Sequence, residues 1–161
     1  MASNPDNEEI LRKTEAIFQE SRQAEQPFTV SVPVEIFSTL FASIGHIVFS
    51  DTWKGDTELA ASLHRRFEEV LDAAVTIREN QGKAPSSVSF NLNAREVDFI
   101  NERLLEGIGL SRQLGGRGAS ARTDFALELI RSEMACFIGL NTAFVEAGGS
   151  ARPAFLKFSQ G

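Results

Sequence analysis

Two short stretches, Phe28-Thr-Val-Ser-Val32 and Val88-Ser-Phe-Asn-Leu92, decide the fold that the sequence predicts. In both, apolar and polar residues alternate with the period of two that is typical of a half-buried β-strand. The apolar positions of each stretch should face a core and the polar positions should face solvent. Pro33 closes the first stretch. We therefore predict two strands that form a small antiparallel sheet.

Two helical patterns follow each strand. After the first strand, apolar residues recur at helical spacing over residues 34–48 and again over 57–80. After the second strand, Asn93 and Glu96 predict a capping box for the next helix, and a final helix is expected over residues 123–147. This order gives two strand–helix–helix units.

Two of the predicted helical segments are almost free of charge. Residues 36–50 and 134–145 contain no Asp, Glu, Lys or Arg. A helix that is apolar on all sides is normally buried, so we expect both segments to be covered on nearly all faces. A single domain of this size rarely encloses two such helices, which favours self-association.

The fold class expected is α+β and helix-dominated: a leading helix, then two strand–helix–helix units with a small antiparallel sheet. The length of 161 residues fits one domain. Within it, residues 1–26 form an N-terminal amphipathic helix suited to docking, residues 27–148 the core, and residues 149–161 a tail. The tail pattern is compatible with a short edge strand or with a docking arm.

The two units match in character at an offset of 60 residues. The matching pairs are Phe28/Val88, Val30/Phe90, Val32/Leu92, Phe37/Val97, Leu40/Ile100 and Ile44/Leu104. None of these six pairs is identical. An ancient duplication and a coincidence of similar elements both account for the pattern.

The outward positions of the two strands are Thr29, Ser31, Ser89 and Asn91, which would form a polar ribbon backed by helices. Over residues 27–147, this order of elements resembles a single-chain double of the ribbon-helix-helix DNA-binding family. The resemblance implies that the outward strand residues read the major groove. The chain departs from the family because its second helices are longer and its ribbon carries no Arg or Lys.

The segment from Gly107 to Arg122 combines glycine and arginine and is predicted to be a long loop that leads into the last helix. Backbone N–H groups at a helix N-terminus and guanidinium groups together suit an anion. The candidate ligand-binding residues are Arg112, Gly116, Arg117, Gly118 and Arg122. The segment lacks the Gly-Lys-Ser/Thr of a P-loop and the strand-first order of a dinucleotide fold. A flexible surface loop is the simpler interpretation.

Composition limits the other functions. With 16 Lys and Arg against 22 Asp and Glu, the net charge is −6, so nucleic acid and membrane surfaces are not expected partners. The single cysteine, Cys136, lies in an apolar stretch, which indicates a buried residue and a reducing, cytoplasmic location. His64, Glu68 and Asp72 share a helix stripe, which we interpret as a solvated face joined by i,i+4 pairs and not as a metal site.

We therefore expect a non-catalytic intracellular interaction or regulatory protein that forms homo-oligomers and binds itself or another protein. We assign it no catalytic residue, no metal and no cofactor. One alternative is a small-anion or nucleotide binder that uses residues 107–122. The other is a ribbon-helix-helix-like regulator that binds nucleic acid.

Overall fold

The structure is a computed structural model that describes residues 5–48, 56–115 and 120–160; the side chains of 5, 20, 21, 47, 48, 111–115 and 120–123 lie outside this description. Its elements are, in chain order, α1 Pro5–Glu25, β1 Phe28–Pro33, α2 Val34–Val48, α3 Thr57–Gln81, β2 Ser87–Leu92, α4 Ala94–Gly115, α5 Ser120–Glu146 and α6 Pro153–Gln160. This order confirms the helix-dominated α+β class, with a leading helix and two strand–helix–helix units. Within the described ranges, no helix is both long and apolar enough to cross a bilayer.

The two strands pair antiparallel as a ribbon, as the sequence predicted. The inner face carries Val30, Val32, Val88, Phe90 and Leu92, which are buried, together with the half-buried Phe28. The outer face carries the predicted polar residues Thr29, Ser31, Ser89 and Asn91, which are exposed. The alternation of the sequence therefore assigns both faces of the ribbon correctly.

The register of the ribbon agrees with the offset of 60 residues between the two units. Val30 lies opposite Phe90, its counterpart at that offset, and Thr29 lies opposite Asn91, the counterpart of Ser31. A two-fold axis through the ribbon produces this pairing. The counterpart positions on α2 and α4 are likewise buried: Phe37 and Val97, Leu40 and Ile100, Ile44 and Leu104. Pairing and burial thus follow an approximate internal two-fold symmetry.

The core lies under the inner face of the ribbon, against α2, α4, α5 and the first half of α3. Three aromatic rings stand at its centre: the ring centroids of Phe37 and Phe67 are 5.5 Å apart, those of Phe37 and Phe90 are 5.6 Å apart, and those of Phe67 and Phe90 are 5.2 Å apart. Tilted and edge-to-face arrangements of this kind are the favourable ones. Because Phe90 belongs to the second unit, the two units share one core.

Capping interactions mark two helix ends on either side of β2: the start of α4 and the end of α3. The predicted capping box is confirmed: the Asn93 side chain accepts from the Glu96 amide at 2.8 Å, and the Glu96 carboxylate accepts from the Asn93 amide at 2.9 Å. α3 ends at Gly82, which has a φ of 70° and donates its N–H to the Arg78 carbonyl. Glycine is favoured there because a left-handed conformation carries no Cβ penalty for it.

The expectation that the charge-free helices are covered on nearly all sides is wrong. On α2, Ser38 and Ala42 are exposed, and on α5, Ile138 is 41% and Val145 is 42% exposed. The exposed side of α2 carries Glu35 and His46 together with Ser38 and Ala42, and the short serine and alanine side chains leave little apolar surface in water. Absence of charge therefore did not identify a buried face.

The loop prediction for residues 107–115 is also wrong, and of the two interpretations of the tail the edge strand is wrong. The segment from Gly107 to Gly115 continues α4 and is not a loop, and α5 begins at Ser120. A helix tolerates isolated glycines at a cost of about 1 kcal/mol each, which packing against a neighbouring helix can offset. The tail forms α6 and not an edge strand, and its Phe155 and Phe158 rings pack on Phe137 at centroid distances of 5.9 and 5.5 Å.

Candidate functional site

The outer face of the ribbon is a small polar surface held in place by the core beneath it. The Thr29 hydroxyl donates to the side-chain oxygen of Asn91 across the two strands at 2.7 Å, and Ser31 lies directly opposite Ser89. All four side chains are exposed. The ribbon therefore offers hydroxyl and amide groups without any charge.

Two arginines beside this ribbon are paired with acids. Arg66 on α3 forms an ion pair with the buried Glu96 and donates from Nη1 to the carbonyl of Asn91 at 3.3 Å. Burial lowers the pKa of the Arg66 guanidinium below its usual value. Arg95 pairs with Asp56 at 3.4 Å. These pairs leave little net positive charge to attract a phosphate backbone.

The candidate anion site falls largely outside the description. Gly116, Arg117 and Gly118 lie in the segment that the structure does not describe. Arg112 belongs to α4 and Arg122 to the first turn of α5, but the side chains of both residues lie outside the description. Whether these five residues form one site stays a prediction.

Inside α4, Gly107 has a packing role that its loop interpretation missed. A Cβ at this position would lie 2.8 Å from Oε2 of Glu133 on α5. Burial raises the pKa of the Glu133 carboxyl, while the positive charge of Arg103 acts in the opposite direction. The Glu133 Oε2 and Arg103 Nε atoms are buried and without a hydrogen-bond partner among the described residues. The Glu133 carboxylate of α5 therefore lies over Gly107 of α4, and a Cβ at this position would require the carboxylate to shift.

The histidine and acid stripe on α3 contains the predicted i,i+4 pair, but its first residue is not solvated, because the His64 side chain is only 12% exposed. His64 Nδ1 lies 3.2 Å from Oε1 of Glu68, and the His64 ring stacks on Phe41 at a centroid distance of 5.0 Å. Asp72 is exposed further along the helix. Within the described residues, no group of three or more His, Cys, Asp and Glu side chains is arranged to hold a metal ion.

Cys136 is fully buried in the core, as predicted. Burial, with a smaller contribution from the charge of Glu133, raises the pKa of the Cys136 thiol to about 12. A thiol with so high a pKa is a poor nucleophile at neutral pH, because the thiolate is the reactive form. The residue is therefore part of the packing.

Among the described residues, the leading helix presents four exposed large apolar side chains on one face. Ile10 is 61%, Leu11 65%, Ile17 65% and Phe18 57% exposed, and every described side chain from residue 6 to residue 19 is exposed. The residues repeat at a spacing of seven, so they lie on one side of α1. We call these four residues the α1 stripe. The sequence predicted such a stripe but not whether the domain itself covers it.

A second apolar surface was missed by the sequence. A groove of about 450 Å³ runs between the second half of α3 and β2. Its α3 side includes Val70, Ala74 and Ile77, the last of them 38% exposed. The sequence signal was the long apolar stripe of this helix, which extends beyond the part that the core covers.

Comparison with known proteins finds no matching family model, no matching curated protein and no matching solved structure.

Proposed function

We propose that this protein is a non-catalytic interaction or regulatory protein that forms homo-oligomers through the α1 stripe. The observation that carries the proposal is the exposure of four large apolar side chains on one face of a 21-residue helix. A contiguous exposed apolar patch of this kind normally marks a contact surface. A cytoplasmic location remains our proposal, supported by the single buried cysteine.

The apolar area is sufficient for a reversible dimer. Complete burial of one such side chain contributes about 1.5–3 kcal/mol, and the side chains of the stripe are 57–65% exposed, so about 1–2 kcal/mol remains for each. In an isologous contact both stripes are buried, which gives roughly 8–16 kcal/mol in total. Association costs about 4–15 kcal/mol in lost freedom. The two quantities are similar, so we expect a dimer that dissociates on dilution.

Sedimentation velocity over a concentration series tests this proposal. Replacing Leu11 and Phe18 by serine removes half of the stripe, and this double variant should remain monomeric where the wild type associates. The control replaces Arg12 and Gln19 by serine, at the same spacing but one residue further along the helix, and should associate like the wild type. A wild type that stays monomeric at every concentration would contradict the proposal, as would a Leu11→Ser/Phe18→Ser variant that still associates.

A specific observation favours nucleic-acid binding as a second candidate. The exposed ribbon of Thr29, Ser31, Ser89 and Asn91 has the two-fold register that a doubled strand–helix–helix protein would present to a palindromic site. Fluorescence anisotropy with a labelled DNA duplex in a salt series tests it. Binding that weakens with salt in the wild type, and is lost in Ser31→Ala/Asn91→Ala, would support this candidate.

The small-anion function rests on side chains outside the described residues and remains a prediction from sequence. A thermal-shift titration with inorganic phosphate and with nucleoside triphosphates tests it. The double replacement Arg117→Ala/Arg122→Ala should abolish any shift without changing the melting temperature of the free protein.

A further inference from the structure

The open edge of β2 can be identified from the hydrogen bonds of the ribbon. Beyond the last pair of the ribbon, Pro33 opposite Ser87, the Val34 amide donates to the Ser86 carbonyl at 3.0 Å. Hydrogen-bonded and non-hydrogen-bonded pairs alternate in an antiparallel ladder, so the even-numbered residues form the ladder bonds. Pro33 agrees with this, because it has no N–H and lies at an odd position.

The odd-numbered residues of β2 therefore direct their main-chain groups away from β1. The carbonyl of Asn91 confirms this direction, because it accepts a hydrogen bond from Arg66 on the neighbouring α3. The N–H and C=O groups of Ser87 and Ser89 point the same way. Neither residue has a main-chain partner at this edge among the described residues. An unpaired strand edge is a template for another strand.

The edge of β2 faces the groove of about 450 Å³ beside α3. Val70, Ala73, Ala74 and Ile77 form its α3 wall, and the Arg66 bond to Asn91 closes one end. The main-chain groups of a strand placed here would form hydrogen bonds with the unpaired N–H and C=O groups at the edge of β2. Every second side chain of that strand would contact the apolar α3 wall.

The charged residues around the groove determine which charge a bound peptide should carry. Arg66 is neutralised by its ion pair with Glu96, whereas Glu69 lines the groove and has no ion-pair partner in the described part of the chain. The chain as a whole carries a net charge of −6. A peptide with a basic residue near Glu69 is therefore favoured over an acidic one. A second copy of the chain is a less suitable occupant, because α3 lies beside the β2 edge that this copy would have to insert into the groove.

We propose that the groove between α3 and β2 binds an extended segment of a partner protein, with apolar side chains at alternate positions and a basic residue near Glu69, as a third strand paired to Ser87 and Ser89. This surface is separate from the α1 stripe, and the proposal does not rest on self-association. The Leu11→Ser/Phe18→Ser variant should bind such a segment as the wild type does.

The probe is an acetylated and amidated heptapeptide, Lys-Val-Thr-Val-Thr-Val-Lys, carrying a fluorophore. Anisotropy should show saturable binding, and NMR hydrogen exchange should show slower exchange of the Ser87 and Ser89 amides. The Thr29 and Ser31 amides, on the β1 edge, should exchange at their original rates. A peptide with both threonines replaced by proline should bind at least about fivefold more weakly, because it lacks two main-chain donors.

Variants of the protein locate the contact. Ser89→Pro removes an N–H at the β2 edge without removing a ladder bond, and should weaken binding about fivefold. Ser31→Pro is the matched control, since Ser31 is the directly opposite residue and faces the other edge. If Ser89→Pro fails to fold by circular dichroism, Glu69→Lys takes its place and should weaken binding by a similar factor. Glu79→Lys, on the same helix but outside the groove lining, should not.

Three results would overturn the proposal. The first is the absence of saturable binding by the wild type. The second is binding without slower exchange at Ser87 and Ser89, or with equal effects on both edges. The third is protection of these two amides that appears without peptide as the protein concentration rises, which would assign the groove to a second copy of the chain.

Discussion

A buried amide pair joins α4 to α5 and offers a direct test of how the two helices are held together. Asn101 and Asn141 are each 1% exposed. The Asn101 amide nitrogen donates to the Asn141 side-chain oxygen at 3.0 Å, and the Asn141 nitrogen donates back to the Asn101 oxygen at 2.8 Å. The Asn141 nitrogen also donates to the Phe137 carbonyl at 2.7 Å. Replacing one asparagine by leucine keeps a similar volume and removes its partner's bonds.

The expected cost follows from the groups left without a partner. In Asn141→Leu, one donor and one acceptor of Asn101 stay buried and unpaired, at about 1–3 kcal/mol each, so the free energy of unfolding should fall by about 2–6 kcal/mol. Asn101→Leu should cost a similar amount, though less because Asn141 keeps its bond to Phe137. The double variant leaves neither amide in the core and should lie within about 1.5 kcal/mol of the wild type.

Urea unfolding followed by far-ultraviolet circular dichroism measures the three free energies. The double-mutant cycle should give a coupling energy of at least about 2 kcal/mol, because each single replacement carries the cost of an orphaned amide that the double replacement avoids. Losses that add within about 0.5 kcal/mol would refute the reasoning, since they would show that the two amides do not depend on each other.

The remaining predictions concern glycine positions and the buried thiol. Gly109→Ala should raise the melting temperature, because a Cβ there meets nothing within 4 Å and alanine is the better helix former by about 1 kcal/mol. Gly107→Ala should show no such gain, because its Cβ would displace the Glu133 carboxylate; equal melting temperatures for the two variants would contradict this packing role. The unfolded Cys136 thiol ionises near pH 8.5 while the folded thiol, with its pKa of about 12, stays protonated. The unfolded state then binds fewer protons, so the free energy of unfolding should fall as pH rises between these values, and chemical denaturation of Cys136→Ala should lack that contribution. Gly82→Ala should cost about 1 kcal/mol in the same assay, and Gly82→Asn less, because the position has a φ of 70°.

Much of the fold was predictable because it depends on neighbours in sequence. Alternation along Phe28–Val32 and Val88–Leu92 assigned the inner and outer faces of both strands, and the Asn93–Glu96 spacing located the start of α4. These features follow from the period of a strand and from a cap that spans one helical turn. The offset of 60 residues also anticipated the register of the ribbon.

The candidate sites were less predictable. The glycines of residues 107–115 predict a loop, whereas the structure continues α4 through them and brings Gly107 next to the carboxylate of Glu133, a residue far away in the chain. The exposure of the α1 stripe could not be inferred from the sequence either. An amphipathic helix has the same pattern whether its own domain or another molecule covers it.

The sequence by itself determined the two strands, the order of strands and helices from α1 to α5, which face of the ribbon is apolar, and the net negative charge of the chain. These properties depend on residue type and local periodicity. The tertiary structure alone decided that α3 leaves the edge of β2 beside an apolar groove. That placement depends on the contact of Phe67 with Phe90, whose ring centroids lie 5.2 Å apart. A contact between residues in different elements sets helix positions that no local pattern records.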